Sequence, residues 1–179
     1  MYNRLVVTAG DIKRLLKSKP HVNIDLRGGI QSQKGFITVN DRDLPGVNVV
    51  YDLEKTPWPF SNECADLLAA PFLIEKINPH KYGFIKFMDE AWRVLKQGGQ
   101  FMISTTYGGS YQYNQDPTNV NPCNEATFCY FDPLDQMAKG ELYKVYHPKP
   151  WKVMTLAFKV GDYLEVLLEK RKDDKSYHQ

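Results

Sequence analysis

The chain has 179 residues, 42% of them apolar and 25% charged, with 23 Lys plus Arg against 21 Asp plus Glu for a formal net charge of +2. These proportions describe a globular chain with enough length for one well-packed domain, and they exclude disorder as its dominant state. The charge is too balanced to imply nucleic acid by itself, no run approaches the about 20 apolar residues a membrane span needs, and three cysteines without a CxxC pair (Cys64, Cys123, Cys129) argue against a disulfide framework or a zinc site.

Residues 11–17 put Ile12, Leu15 and Leu16 on one helical face, so the first 20 residues are expected to carry a short amphipathic helix that stops before Pro20. Residues 22–26, 36–39 and 47–51 are rich in β-formers and read as three strands, and the apolar stretch 65–71 reads as a buried fourth. Between them, Pro57-Trp58-Pro59-Phe60 is expected to form a rigid loop. The strongest helix follows, with Phe84, Phe87, Met88, Ala91 and Leu95 on one face and Gly98-Gly99 as its C-terminal stop. Residues 101–104 read as a fifth strand. The Tyr/Asn/Pro-rich segment 107–133 has little periodicity, and a loop of that length in a compact domain is expected to serve function. Residues 151–160 and 163–169 read as two strands around Gly161-Asp162, whose order fits a type II′ turn, and 170–179 read as a polar tail.

Strands alternating with helices and closed by a hairpin predict one α/β domain over residues 1–179. The expected architecture is a three-layer sandwich built on a Rossmann-like, mostly parallel sheet with a C-terminal antiparallel strand pair. Such sheets bind ligands at the carboxyl ends of their strands, where strand order reverses.

From Asp52 onward the pattern becomes specific. Asp52-Leu53, Pro57-Trp58-Pro59-Phe60, Asp66-Leu67-Leu68, Glu75-Lys76-Ile77 and Glu90-Ala91-Trp92-Arg93-Val94-Leu95-Lys96-Gln97-Gly98-Gly99 follow one another in that order. This resembles the class I S-adenosylmethionine-dependent methyltransferases, most closely the small ones with a DL…PWPF…EH…E-x-x-RVLKPGG signature. The resemblance covers roughly residues 21–105 and, more loosely, the closing strand pair. It implies S-adenosylmethionine as cofactor, no metal, and a small-molecule acceptor, a sugar or sugar-containing metabolite being one class.

The resemblance also implies donor-binding positions. The first strand of the family ends in D-L-G-x-G. Here the stretch is Asp25-Leu26-Arg27-Gly28-Gly29, so Arg27 stands where the first glycine belongs and either crowds the donor or pairs with its carboxylate. The acidic residue that accepts the ribose hydroxyls corresponds to Asn40, with Asp41 beside it, and the amide is the weaker acceptor. Asp52, followed by Leu53, matches the residue that binds the adenine amino group; a turn or helix cap is the plainer role. Ala69 and Pro71 fall where small residues line the donor pocket. Lys76 replaces the histidine of the Glu-His pair.

Methyl transfer from a sulfonium is an in-line displacement in which positioning supplies most of the rate, so no fixed catalytic set is demanded. Asp116, His80 and Tyr107 are the candidate catalytic groups, and Tyr107, Tyr111 and Tyr113 on the 107–133 loop suit the apolar faces of a small organic acceptor. Ala69-Ala70-Pro71-Phe72 is not the N/D-P-P-Y/F tetrapeptide of base methylation, so nucleic acid is not an expected partner. The competing reading is a binding or scaffold protein that kept the fold and lost the donor site, motivated by Arg27, Asn40 and Lys76. The scattered thiols and the lack of a signal-like start in residues 1–10 point to the cytoplasm. The sequence leaves the oligomeric state open.

Overall fold

A computed structural model describes residues 9–29, 33–135 and 141–178. Seven strands form one sheet: β1 (Asn23–Asp25), β2 (Ile37–Asn40), β3 (Val49–Val50), β4 (Ala65–Pro71), β5 (Leu95–Thr106), β6 (Trp151–Lys159) and β7 (Tyr163–Lys170). Their order is β3-β2-β1-β4-β5-β7-β6. The pairs among β1 to β5 are parallel, β7 is antiparallel to β5, and β6 is antiparallel to β7. This is the expected Rossmann-like, mostly parallel sheet with a C-terminal antiparallel pair. The chain leaves β1 to one side for β2 and β3, then returns to its other side for β4, so strand order reverses at β1.

The helices are α1 (Ala9–Lys17), α2 (Gly83–Val94), α3 (Tyr111–Gln115), α4 (Glu125–Cys129) and α5 (Glu141–Tyr146). Among the described residues no helix is long and apolar enough to cross a membrane. The α1 span matches the predicted N-terminal helix and buries Ile12 in the core. The link between β1 and β2 is short, and none of its described residues is helical.

Apolar spacing makes α2 and also orients it. Phe84, Phe87, Met88, Ala91 and Val94 are all buried. Phe87 meets Trp58 edge-on at 5.1 Å and lies 6.5 Å from Phe101 of β5, which in turn lies 5.7 Å from Trp151 of β6. The sheet face carrying Phe101 and its register partners Leu68 and Leu168 is fully buried. On the other face Met102, between Ala69 and Leu167, stays 47% exposed. As a result β4 mixes the buried Ala65, Leu68 and Ala70 with half-buried residues, ends on the exposed Pro71, and is not buried throughout as its composition suggested.

The end of α2, the start of β5 and the closing turn differ from the sequence expectation. The helix α2 stops at Val94 and not at Gly98-Gly99, because Leu95 turns extended and starts β5. The N–H groups of Glu63 and Cys64 reach the carbonyls of Arg93 and Val94 at 2.9 Å and satisfy the helix end. Gly98 instead takes a positive φ of 72° inside β5, where the register with β4 slips between Ala65 and Leu67. At the β6–β7 turn both Gly161 and Asp162 have positive φ, 96° and 56°, whereas a II′ turn needs it only at its first central residue. The segment 107–133 holds α3 and α4, each capped by a side chain at its start: Ser110 accepts from Tyr113 N–H and Asn124 from Thr127 N–H.

The assigned tail starts inside the fold. Lys170 is 2% exposed; its amine donates to the Leu95 carbonyl at 2.8 Å, pairs with Glu63 at 3.1 Å and lies 3.9 Å above the Trp92 ring. Arg171 then pairs with the buried Asp132 at 3.1 Å.

Candidate functional site

The signature residues first act on the loop that leads to the site. Arg93 sets its Nε and Nη2 on the Glu90 carboxylate at 2.8 Å each and also donates to the carbonyls of Phe60 (2.9 Å) and Trp58 (3.2 Å) and to Asn62 Oδ1 (2.8 Å). Glu90 also accepts the Trp58 N–H at 2.6 Å. The E-x-x-R element is therefore a clamp that fixes Pro57-Trp58-Pro59-Phe60 on α2. Burial pushes the Glu90 carboxyl up, but the Arg93 and Trp58 hydrogen bonds outweigh it and hold the group below its ordinary value. From this anchored loop Trp58 Nε1 donates to the Leu53 carbonyl at 3.0 Å, and the Tyr51 hydroxyl donates to the Pro57 carbonyl at 2.9 Å. Tyr51 and Leu53 are held by a clamp some 40 residues further along the chain.

Both residues line a cleft of about 780 Å3 at the carboxyl ends of β1, β2 and β3. Leu26 and Arg27 enter from β1, Asn40, Asp41 and Arg42 from β2, and Tyr51, Asp52, Leu53 and Glu54 from β3. Leu73, Lys76 and Ile77 close it from the segment after β4, and Thr118 from the long loop. Leu26, Leu53 and Ile77 are buried and form an apolar wall, while Asp41 and Asp52 supply carboxylates on the rim. An apolar wall with a few convergent polar groups is the common construction of a small-ligand site.

Of the residues singled out by sequence for donor binding, Arg27, Asn40, Asp41, Asp52 and Leu53 come together here. Asp25, Gly28, Gly29, Ala69 and Pro71 do not line the cleft. Asp25 is 6% exposed, accepts the Arg27 backbone N–H at 3.0 Å, and has its carboxyl pushed up by burial. Gly28 is glycine because β2 lies against it: a Cβ there would sit 2.4 Å from Thr38 Cβ. Ala69 accepts the Leu26 N–H at 2.8 Å and supports β1 from β4. Gly29 and Pro71 make no contact with the cleft.

Asn40 is already committed. Its Nδ2 donates to the Gly28 carbonyl at 3.0 Å and its Oδ1 accepts the Arg42 N–H at 3.0 Å. That leaves Asp41, exposed and 3.8 Å from the equally exposed Arg42, as the acceptor at the end of β2. Asp52 accepts the Glu54 N–H at 3.1 Å, as in a simple turn, and lies 3.5 Å from Lys55, with 44% of its side chain still exposed.

The catalytic candidates disperse. Asp116 is exposed and bonded to Lys76, with Thr118 alongside, and these hydrogen bonds hold its carboxyl far below the usual range, which makes it a poor base. The Lys76–Asp116 pair, with Lys76 also reaching Thr118 Oγ1 at 2.7 Å, ties the 116–119 turn down beside the cleft. His80 is exposed on a 3-10 turn and lines neither this cleft nor the one beside Tyr107. Tyr107 lines a second cleft of about 480 Å3 with Gly108, Gly109, Ser110, Glu125, Phe158 and Asp162. Its hydroxyl faces Glu125 at 3.3 Å, and that negative charge pushes the phenol up. Tyr111 is 74% exposed, and neither it nor Tyr113 lines this cleft. Among the described residues no group of His, Cys, Asp and Glu could hold a metal ion.

Sequence reasoning passed over Arg42, Tyr51, Glu54, Leu73, Ile77 and Thr118 as cleft residues. Tyr51 and Glu54 flank Asp52-Leu53 and were within reach of the motif. Thr118 was not, since its place depends on Lys76, 42 residues away in the chain.

No family model matches the chain, and no curated protein matches it. Solved structures do. The 16S rRNA (adenine(1408)-N(1))-methyltransferase from Catenulisporales acidiphilia, solved with its cosubstrate S-adenosylmethionine, is 12% identical with a TM-score of 0.57, covering 94% of each chain. An S-adenosylmethionine-dependent methyltransferase from Mesorhizobium loti is 10% identical with a TM-score of 0.55 over 91% of this chain and 98% of that one. The [4+2]-cyclase SpnF is 10% identical with a TM-score of 0.52 over 89% and 79%. The third has a different chemistry from the first two, as expected of a fold that hosts many activities. At these identities the likeness is one of architecture: the chain has the class I methyltransferase fold.

Proposed function

We propose that the cleft at the ends of β1, β2 and β3 binds S-adenosylmethionine and that the protein transfers the methyl group to a small-molecule acceptor. The observation that carries this reading is the cleft's position and make-up: it opens where strand order reverses, with Leu26, Leu53 and Ile77 as an apolar wall and Asp41 and Asp52 on the rim. The wall suits an adenine ring, Asp52 its amino group, and Asp41 the ribose hydroxyls. When bound, the donor supplies an already activated methyl group. The chain's own task is to hold it and exclude water. The second cleft, at the end of β5, is the acceptor side in this reading, and a sugar-containing metabolite is one acceptor class. Three unpaired thiols support a cytoplasmic setting.

A second reading has its own support. Asn40 is spent on backbone groups, and the β1–β2 link is short, so a binding protein that kept the fold without methyl transfer is the alternative. Calorimetric titration with S-adenosylmethionine and S-adenosylhomocysteine tests the donor site. The proposal expects binding that weakens at least about tenfold in Asp52→Ala, the loss of one charge-assisted hydrogen bond. No heat at millimolar ligand sinks it. Binding without methyl transfer to any of a panel of small hydroxyl- and amine-bearing acceptors favours the alternative.

A further inference from the structure

The cleft's charges are not evenly paired. Among the described residues three cations line it, Arg27, Arg42 and Lys76. Arg42 lies 3.8 Å from Asp41, and Lys76 is bonded to Asp116. Arg27 lines the cleft, has no ion pair among the described residues, and its Nη1 is buried without a hydrogen-bond partner. The cleft carboxylates are engaged elsewhere: Asp52 with Lys55 and the Glu54 N–H, Glu54 with the Asn78 N–H at 2.7 Å, Asp41 with Arg42. A buried guanidinium nitrogen without an acceptor is costly, and a guanidinium is built to take an oxyanion in a fork of two hydrogen bonds. The Arg27 backbone is fixed, since its N–H is held by Asp25 and the next residue, Gly28, is wedged against Thr38. The side chain therefore leaves the end of β1 from a defined point.

We infer that Arg27 is the anchor for the carboxylate on the amino-acid arm of the donor, so that the cleft selects adenosyl compounds carrying an oxyanion over those that lack one. This rests on the donor reading above and adds to it a residue and a selectivity. The guanidinium then takes over the role of a glycine-rich turn, which would hold the same arm with backbone N–H groups alone. Arg27 is a binding residue in this account and takes no part in bond making or breaking.

The test compares S-adenosylmethionine with decarboxylated S-adenosylmethionine, which keeps the adenosyl group and the amine and lacks only the carboxylate, in wild type, Arg27→Gln and Arg27→Lys. Adenosine 5′-monophosphate is the phosphate-bearing control. The expected result is a preference of about 10- to 100-fold for the carboxylate compound in wild type, reduced to less than about threefold in R27Q and intermediate in R27K. The wild-type comparison needs no variant, so a folding defect in R27Q leaves it readable. Equal affinity for both compounds in wild type overturns the anchor and leaves donor binding intact. Binding of neither compound removes the donor reading and the anchor with it. Tighter binding of the monophosphate than of S-adenosylmethionine, lost in R27Q, overturns the carboxylate assignment in favour of a nucleotide phosphate.

Discussion

Replacing Glu90 by alanine should cost more than any change on the exposed face of α2, and the reason lies in three hydrogen bonds. The Glu90 carboxylate accepts two from Arg93 at 2.8 Å and one from the Trp58 N–H at 2.6 Å. Removing it leaves a guanidinium without its counter-ion and a buried N–H without an acceptor. Breaking a buried pair from one side costs about 3–5 kcal/mol. Because a quarter of the Arg93 side chain is exposed (24%), water relieves part of this and places the loss near 3 kcal/mol. For a chain of this size that is a fall of roughly 6–12 °C in Tm. Urea unfolding of wild type, E90A, R93A and the double variant measures it directly. The coupling energy between the two sites should be at least about 1.5 kcal/mol. The loss should also fade in acid: a carboxyl held below its ordinary value of 4.5 stabilises above that value and stops doing so as pH falls through its lower folded-state value. Additivity within about 0.5 kcal/mol, or a cost for E90A below about 1 kcal/mol, would refute the clamp. The clamp also holds Leu53 and Tyr51, so R93A should weaken ligand binding in the cleft without touching it.

Asp89, one residue earlier, behaves in the opposite sense. Burial, with the charges of Asp173 and Glu90, outweighs the Lys149 N–H bond and raises its carboxyl from 3.8 to about 6. Stability from this group is fully present below 3.8 and lost as pH rises through about 6. Asp89→Asn should therefore match wild type near pH 4 and exceed it by about 1–2 kcal/mol at pH 7.5 in urea titrations, and equal stability at both pH values would contradict this. Gly28→Ala should lose about 1–3 kcal/mol, because the added methyl meets Thr38 Cβ at 2.4 Å and β2 must shift; a loss under about 0.5 kcal/mol would show that the strand end yields freely.

Where structure follows from local pattern, the sequence already carried it. The α2 face is legible in the spacing of Phe84, Phe87, Met88 and Ala91, and the strands in their β-branched runs, because both periodicities are set by backbone geometry. Gly98-Gly99 misled for the same reason: glycine after an apolar repeat reads as a helix stop. The helix instead ends where Glu63 and Cys64 reach across to its last carbonyls, and no local pattern reports a contact from 30 residues away. The site divides in the same manner. Asp41, Asp52 and Leu53 follow directly from strand ends, and Arg27 from its place after β1. The loss of Asn40 to the Gly28 carbonyl, the closing of the cleft by Lys76, Asp116 and Thr118, and the separation of Tyr107 into a second cleft are tertiary facts.

Crystals grown with S-adenosylhomocysteine give the most direct measurement of the central claim. The account predicts an adenine ring against Leu26, Leu53 and Ile77, its amino group at Asp52, and ribose hydroxyls at Asp41. Density for the ligand in the Tyr107–Phe158 cleft, or a saturated soak that leaves the β1–β3 cleft without an adenosyl group, would contradict it.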